Sequence, residues 1–212
     1  MLATFTLALA TLATLTTAVP VAQDTAVDVP QTREAFSMYV LAPEIPEIDR
    51  QPINGNGLGL WIGKPTVTVC PDTPDVASIC AYQNTTVFWS TPIENARGTY
   101  IYLSVSTPGG QILYSDGMGH LNYTAAGENS IPSSDIASTY PFNYGPQDDD
   151  ESTADWGYVS LYGAAFLACS TDVVGEYYVG VVGQAVAYPD NCRYITIGGT
   201  RWTGGVGAPA YA

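Results

Sequence analysis

The stretch TYIYLSVSTPGGQILYS, residues 99–115, decides the expected fold. Aromatic and aliphatic side chains alternate from Tyr100 to Leu103, and this period of two is typical of a strand with one buried face. Pro-Gly-Gly follows at 108–110, and glycine supplies the positive φ angles that tight hairpins require. A second β-rich run comes next, at 111–115. The stretch therefore predicts two strands joined by a turn.

The same pattern continues outward in both directions. Short β-rich runs are separated by turn residues, as at Asn54-Gly55 and Asp116-Gly117, and no window of about eleven residues keeps a helical spacing. We therefore expect an all-β fold: a single compact antiparallel β domain over residues 36–212, built as a sandwich or closed barrel and stapled by disulfides. The expected strands are Ser37–Ala42, Leu58–Ile62, Thr66–Cys70, Thr86–Ser90, Thr99–Ser106, Gln111–Ser115, Leu121–Thr124, Tyr158–Leu161, Ala165–Ala168, Tyr177–Val182 and Tyr194–Ile197.

A faint internal repeat adds a further option for the architecture. GLGLWIG at 57–63 and VSLYG at 159–163 each lead to a cysteine, and the run at 100–114 is a candidate third unit. A three-fold, trefoil-like barrel would account for this repeat. The longest loop signal, at 141–155, is expected to divide the sheet-forming halves without making two domains.

The charge of the chain excludes several classes of protein. Lys and Arg number 6 against 20 Asp and Glu, which gives a formal net charge of −14. A nucleic-acid-binding protein needs a cationic face, and an anionic membrane surface would repel this chain, so we expect neither partner. With one histidine, a zinc site with two imidazole ligands cannot form, and we expect no metal and no cofactor. The hydrophobic content of 46% nevertheless predicts a packed core.

The first residues predict export from the cell. Residues 1–22 carry no ionised side chain. The apolar stretch at 7–15 has the length of a signal-peptide core and is too short to span a bilayer. We expect a signal peptide at 1–18 and a flexible leader at 19–35, and we expect the exported protein to be released or held by a cell wall.

Four cysteines agree with an oxidising compartment. An even number of cysteines in an exported chain is typical of disulfides, and sequence alone allows three pairings of Cys70, Cys80, Cys169 and Cys192. We expect the local pairs Cys70–Cys80 and Cys169–Cys192, because strand-like segments flank a turn-rich loop in each case. The spacings do not suit a zinc site, which needs closely spaced couples.

Two sequons predict glycosylation of an exported eukaryotic chain. Asn84-Thr-Thr and Asn122-Tyr-Thr are acceptor sequences for N-linked glycans. Both asparagines lie beside strand-like runs, where a glycan would shield a sheet edge and add solubility.

The single histidine, His120, is the only side chain that could serve a nucleophile–His–carboxylate triad. No strained G-x-S-x-G elbow lies near it, and nothing local marks an oxyanion hole. We therefore expect His120 to be a surface turn residue, and we expect no catalytic residues.

The carboxylates suggest two further hypotheses. Residues 148–151, Asp-Asp-Asp-Glu, could join Asp155 around calcium, but the spaced pattern of a calcium loop is missing, which favours a solvated acidic loop. Glu94, Glu128 and Glu176 could supply a carboxylate pair for glycoside hydrolysis, although no motif distinguishes an acid from a nucleophile.

The aromatic residues favour glycan binding as an alternative function. Four Trp and fifteen Tyr supply flat rings for stacking on sugar faces, although most rings in a β-rich chain fill the core. Trp202 lies in a glycine-rich segment and is the least expected to be buried. It is therefore the candidate for glycan stacking, with Arg201 beside it as a candidate polar contact.

Four islands of sequence resemble the fungal secreted proteins of the phialide cell wall (phiA-type) family, many of which are called IgE-binding. These islands are QPINGNGLGLWIG at 51–63, TPGGQILYSDGMGHLNYT at 107–124, AAFLACSTDVVGEYYVGV at 164–181, and Asp-Asn-Cys at 190–192. The resemblance implies a wall-associated protein of phialides and conidia with a role in stress protection, and it implies no catalytic, metal or cofactor site.

The sequence therefore predicts a secreted structural protein of the fungal cell wall that is not an enzyme and that acts in asexual development. Its expected partners are wall polysaccharide or other wall proteins. The first alternative is a secreted glycan-binding module, and the second, less favoured one is a carboxylate-based wall glycoside hydrolase.

Overall fold

The structure, a computed structural model, describes residues 35–70, 84–92, 99–128, 130–131, 142–146, 156–161, 164–183, 189–204 and 208–212. Its strands belong to one compact unit, Thr32–Ala212. The predicted signal peptide at 1–18, the leader up to residue 34, and Cys80 lie outside the described residues. Ala35, the last residue of the predicted leader, begins the first strand.

The described part of the chain contains fourteen strands and no helix, which confirms the predicted all-β fold. Nothing in these ranges forms a helix with the length and apolar character of a membrane span. The strands are β1 Ala35–Leu41, β2 Ile53–Asn56, β3 Gly59–Ile62, β4 Thr68–Val69, β5 Val87–Pro92, β6 Thr99–Leu103, β7 Leu113–Ser115, β8 Leu121–Tyr123, β9 Phe142–Pro146, β10 Trp156–Leu161, β11 Ala164–Ser170, β12 Tyr177–Gly183, β13 Cys192–Arg201 and β14 Ala210–Tyr211.

Twelve strands form one antiparallel sheet. Its order is β1-β5-β6-β9-β10-β13-β11-β12-β3-β8-β7, with β2 added on β3, while β14 and β4 form a separate pair. The ten-residue strand β13 joins two parts of this sheet, because its first half pairs with β11 and its second half lies between β1 and β10. The pairing of β1 with β13 links β1, β5, β6, β9, β10 and β13 in a ring of neighbours, but the path runs on from β13 to a free end at β7. The sheet as a whole is therefore not closed, and the closed barrel with its trefoil variant is not adopted.

The core follows from strict alternation along the strands. In β1, Phe36, Met38 and Val40 are buried, and the residues between them are half-buried. The rings of Phe36 and Phe88 stack with centroids 6.0 Å apart. A register shift of one residue in such a strand would expose every buried side chain, which fixes the pairing. Further fully buried members are Ile53, Leu60, Ile62, Ile101, Leu103, Leu113, Leu121 and Tyr123.

One predicted disulfide is confirmed, since Cys169 and Cys192 are bonded. The two cysteines are register partners on β11 and β13, and both are buried. They pack in a small apolar cluster with Leu167 and Val182. Cys70 is also disulfide-bonded, and its predicted partner lies outside the described residues.

The last strand, β14, is held by an interior glutamine. Gln111 is fully buried; its Oε1 accepts the N–H of Tyr211 at 2.8 Å, and its Nε2 donates to the carbonyls of Tyr211 and Thr124 at 3.0 and 2.9 Å. The Tyr211 hydroxyl accepts the N–H of Val87 at 3.0 Å. Burial raises the pKa of Tyr211 to about 12. The side-chain amide thus replaces a missing strand neighbour for residue 211.

One expectation about connections is confirmed and one is wrong. The runs at 99–106 and 111–115 contain two strands, β6 and β7, joined by a turn in which Gly109 and Gly110 take positive φ. The strand β6 pairs mainly with β5 and meets the second run through one bridge, Tyr102 to Ile112. The segment 141–155 is not all loop, because β9 pairs with β10 in register from Phe142–Leu161 to Pro146–Gly157. Pairing with β10 outweighs the low β propensity of the Pro and Gly in that segment.

Candidate binding surfaces

An aromatic row crosses the outer face of the sheet. Register pairs place Ala35 opposite Trp89 and Trp89 opposite Tyr102. On the other side of β1, the N–H of Trp202 donates to the carbonyl of Ala35 at 2.8 Å and so extends the pairing with β13. The row therefore reads Trp202, Ala35, Trp89, Tyr102 across four neighbouring strands. Three inter-strand spacings of about 4.8 Å give it a length of about 14 Å.

The row faces away from the core because the strand neighbours of Ala35, Trp89 and Tyr102 face inward, and Trp202 shares the side of its backbone partner Ala35. Phe36, Phe88, Ile101 and Leu103 are fully buried, and they alternate with the residues of the row. Side chains of successive residues point to opposite faces of a strand. The aromatic rings therefore lie on the opposite face, where they are half-buried.

Ring contacts organise this surface. Trp89 and Tyr102 stack with centroids 4.4 Å apart and planes 9° from parallel, and Tyr100 meets Tyr102 edge-on at 6.3 Å. Tyr100 is 38% exposed. At the far end, a Cβ on Gly204 would lie 2.6 Å from the Trp202 indole, so only glycine lets the backbone run this close to the ring. These contacts hold the rings in fixed orientations beside solvent.

A small cleft lies in the other part of the sheet, around β3, β8 and β12. It has a volume of about 140 Å³ and is lined by Trp61, His120, Asn122 and Tyr178 over the glycines of the β2–β3 turn. The Tyr178 ring meets His120 at 4.8 Å and 90°, and it meets Trp61 at 6.3 Å and 78°. Three rings that meet edge to face, together with one amide, therefore line this small space.

Asp116 organises the polar side of this cleft. Its Oδ1 accepts the backbone N–H groups of Met118 and His120 at 2.9 and 2.8 Å. Its Oδ2 lies 3.1 Å from His120 Nδ1 and accepts Asn122 Nδ2 at 3.0 Å. Burial raises the pKa of Asp116, but the hydrogen bonds and the charge of His120 outweigh burial and hold that pKa below its usual value. An ionised carboxylate only accepts, so Nδ1 of His120 donates to it.

Lys64 covers the Trp61 ring. Its Nζ lies 3.3 Å from the ring centroid and 3.5 Å from a carboxylate oxygen of Glu176. The Trp61 indole N–H donates to the carbonyl of Asn56 at 2.8 Å. The indole is thus held by a backbone bond at its edge and by a cation on its ring.

A second, wider groove of about 360 Å³ lies beside the turn that follows β1. Glu44, Glu47, Tyr177 and Arg193 line it. The guanidinium of Arg193 donates to the carbonyls of Asp190 and Cys192 at 2.9 and 2.8 Å. This cation therefore binds backbone carbonyls at the edge of the groove. No cluster of metal-ligating side chains occurs among the described residues.

The structure separates the residues that the sequence singles out. Trp202 joins the aromatic row, whereas His120 lines the cleft, and its side chain is 37% exposed. Asn84 is exposed in a turn, and Asn122 is half-buried on β8. Glu128 is exposed, 148–151, Asp155 and Glu94 lie outside the described residues, and Glu176 pairs with Lys64 as described above.

Sequence reasoning did not single out Trp89, Tyr102, Trp61 or Tyr178 as members of a shared surface. The alternation in β6 indicates which way Tyr102 faces, but its neighbours come from strands distant in sequence. Only the order of strands in the sheet shows that Trp89 and Trp202 share a row with it.

No protein-family model matches the chain, and no curated protein matches it. The fold and its surfaces define a class: an all-β protein, stapled by a disulfide, that carries an aromatic row on one sheet face and a small aromatic cleft elsewhere.

Proposed function

We propose that this chain is an exported structural protein of the fungal cell wall that is held there by wall polysaccharide, which stacks on the aromatic row of Trp202, Trp89 and Tyr102. One observation carries the proposal: the three rings lie in register on one outer sheet face. The resemblance of the islands at 51–63 and 107–124 to wall proteins of phialides and conidia supports the location and a role in asexual development and stress protection.

Polysaccharide is the ligand that best fits the chemistry of this surface. Sugar rings present faces of C–H groups to aromatic planes and hydroxyl groups to the solvent at their edges. Because Trp89 and Tyr102 stack on each other, each has at most one ring face left for a sugar, and Trp202 adds its own ring. A row about 14 Å long on adjacent strands suits an extended chain of repeating units more than a compact small molecule. Uncharged glycans also escape the repulsion that a net charge of −14 imposes on anionic partners.

The proposed role is binding without catalysis. The His120 imidazole is held by Asp116, but the cleft beside it is lined by aromatic rings, glycines and the amide of Asn122. Neither a serine nor a cysteine is among its lining residues, so the described cleft supplies no nucleophile to that base.

Fractionation of intact cells tests the location. We expect the protein in the wall fraction, released by enzymes that digest wall polysaccharide, and we expect deletion of its gene to impair the formation of conidia. Recovery only from the culture medium, together with normal sporulation of the deletion strain, would contradict the structural role.

Sedimentation with insoluble wall polysaccharide tests the binding itself. We expect the purified protein to sediment with the polymer and to be released by soluble fragments of the same glycan. Shortening of the polymer during incubation would instead favour the hydrolase alternative, for which Glu128 and Glu176 are the described candidates.

A further inference from the structure

We propose that Asn122 carries an N-linked glycan whose first N-acetylglucosamine packs into the cleft beside it, against Trp61 and His120, so that this one sugar is a structural part of the fold. The inference rests on the export that is part of the proposed function. It does not depend on the aromatic row.

The acceptor asparagine itself lines the cleft. Asn122 is the first residue of the sequon Asn122-Tyr-Thr, and it contributes to the cleft wall together with Trp61 and His120. A Cβ built on Gly59 would lie 3.1 Å from Trp61 Nε1 and 3.4 Å from Asn122 Oδ1, so the indole and the amide share one face of β3 above that glycine. A sugar attached to this amide starts next to the indole.

The amide is already oriented by Asp116. Asn122 Nδ2 donates to Asp116 Oδ2 at 3.0 Å. Glycosylation replaces one of the two N–H bonds of Nδ2 and keeps the other, so the hydrogen bond to the carboxylate can persist. The same carboxylate oxygen lies 3.1 Å from His120 Nδ1, which donates to it and leaves Nε2 as the ring nitrogen that can meet the sugar. A sugar hydroxyl can pair with Nε2 whether the imidazole is neutral or charged, because a hydroxyl both donates and accepts.

The cleft is too small for more than one sugar. A volume of about 140 Å³ is below the range of about 300–1,000 Å³ that is typical of sites for drug-sized ligands. The cleft has aromatic rings that can contact the C–H groups and the acetyl methyl of N-acetylglucosamine, with one face of Trp61 already covered by Lys64, and it has glycines where larger side chains would exclude the sugar.

The covalent step balances with a donor that the export pathway supplies. A bond forms between Asn122 Nδ2 and C1 of the sugar, while the bond from C1 to the oxygen of a lipid diphosphate breaks. The lipid diphosphate leaves, and Nδ2 loses one proton. Neither oxidation nor reduction occurs.

Two forms of one protein give a sharp test. The full chain is secreted from yeast behind the host's export leader, with Asn84→Gln present so that Asn122 is the only sequon. Endoglycosidase trimming leaves a single N-acetylglucosamine on Asn122, and cells in which the lipid-linked donor is blocked supply the same chain with an unmodified asparagine. We expect the single sugar to raise Tm by about 2–4 °C, the shift of one aromatic contact in a chain of this length.

The second sequon provides the matched control. In the Asn122→Gln chain, one sugar on exposed Asn84 is expected to leave Tm unchanged within error. In a chain that carries Asn84→Gln and Trp61→Ala, the gain from the sugar on Asn122 is expected to disappear, because its ring contact is gone. Nuclear Overhauser contacts between the acetyl methyl and the protons of Trp61 and His120 test the packing with both rings intact, should the Trp61 variant not fold.

Three results would overturn the inference: an unmodified Asn122 in the secreted protein, an equal Tm gain from the sugars on Asn84 and Asn122, or an acetyl group without contacts to Trp61 and His120. None of them bears on polysaccharide binding by the aromatic row. Conversely, failure to sediment with wall polysaccharide would contradict the proposed function and would not touch the glycan on Asn122.

Discussion

Two groups of aromatic side chains in this molecule differ in how their polar atoms and ring faces are used. Tyr211 and Tyr123 lie in the interior, where the hydroxyl of Tyr211 accepts the N–H of Val87 and the hydroxyl of Tyr123 donates to the carbonyl of Ala212. Trp89 and Tyr102 lie on the outer face, stack on each other and stay half-buried. The interior rings stabilise the fold, whereas the rings of the outer face are those that we propose bind wall polysaccharide.

The largest expected effect is on the interior group. We expect Tyr211→Ala to lower the free energy of unfolding by about 4 kcal/mol, because it removes a buried ring and two backbone partners of its hydroxyl lose their bond. Chemical denaturation measures this change. Tyr194→Ala, at a half-exposed tyrosine of β13, is the matched control, with an expected loss of about 1 kcal/mol or less. Equal losses in the two variants would contradict the division into interior and outer rings.

The second-largest loss of stability is expected when the disulfide is removed. We expect replacement of both Cys169 and Cys192 by Ala to cost about 3 kcal/mol, since the bond closes a loop between residues 23 apart in sequence. Chemical denaturation of the variant measures this loss, and the reduced native protein should lose more, because reduction also breaks the disulfide of Cys70. A loss below about 1 kcal/mol would show that the pairing of β11 with β13 alone fixes this part of the sheet.

Alkaline pH is expected to reduce stability through the interior tyrosines. Burial raises the pKa of Tyr211 to about 12, above the value of about 10 in an unfolded chain. The folded state therefore holds the Tyr211 proton more tightly than the unfolded state does. The contribution of this hydroxyl to the free energy of unfolding is complete below pH 10 and is lost as the pH rises toward 12. We expect a loss of roughly 2 kcal/mol across this window, and a smaller loss in Tyr211→Phe.

Burial also raises the pKa of Tyr123, which will add to the alkaline loss that remains in the Tyr211→Phe variant. Denaturation curves collected from pH 8 to pH 12 measure both contributions. An identical pH dependence in the native chain and in Tyr211→Phe would show that this hydroxyl does not limit alkaline stability.

The smallest effect on stability is expected on the outer face. Trp202→Ala should cost about 1 kcal/mol, because the ring is half-buried against the backbone of Gly204. Thermal denaturation checks this value. A loss as large as that of Tyr211→Ala would assign Trp202 to the core and remove it from the proposed binding surface.

Local pattern predicted most strands but not the way they are joined. All eleven expected strands overlap observed ones, because the alternation of buried and outward side chains can be recognised within short runs such as 35–41. Three further strands were missed: the glycine-containing β2 and β9, and the two-residue β14, whose backbone is held by Gln111 from far away in sequence. Such long-range contacts have no local signature.

The candidate surfaces were predictable only in part. The glycine-rich segment around Trp202 singled out one ring, but no local pattern indicates that Ala35 places this ring beside Trp89. The expectation of a surface turn residue at His120 missed its contacts with Asp116 and Tyr178. In both cases the missing information is the strand order, which follows from packing of the whole sheet rather than from any single segment.

The most direct test of the central claim compares wall-polysaccharide binding by the native protein, by the Trp89→Ala/Trp202→Ala double variant, and by the Tyr194→Ala control. All three are first shown to be folded by thermal denaturation. We predict that the double variant binds at least about tenfold more weakly, the equivalent of about 1.4 kcal/mol, and that the control binds like the native protein. Unchanged binding by the double variant, or equal losses in the double variant and the control, would contradict the claim that the aromatic row binds the wall.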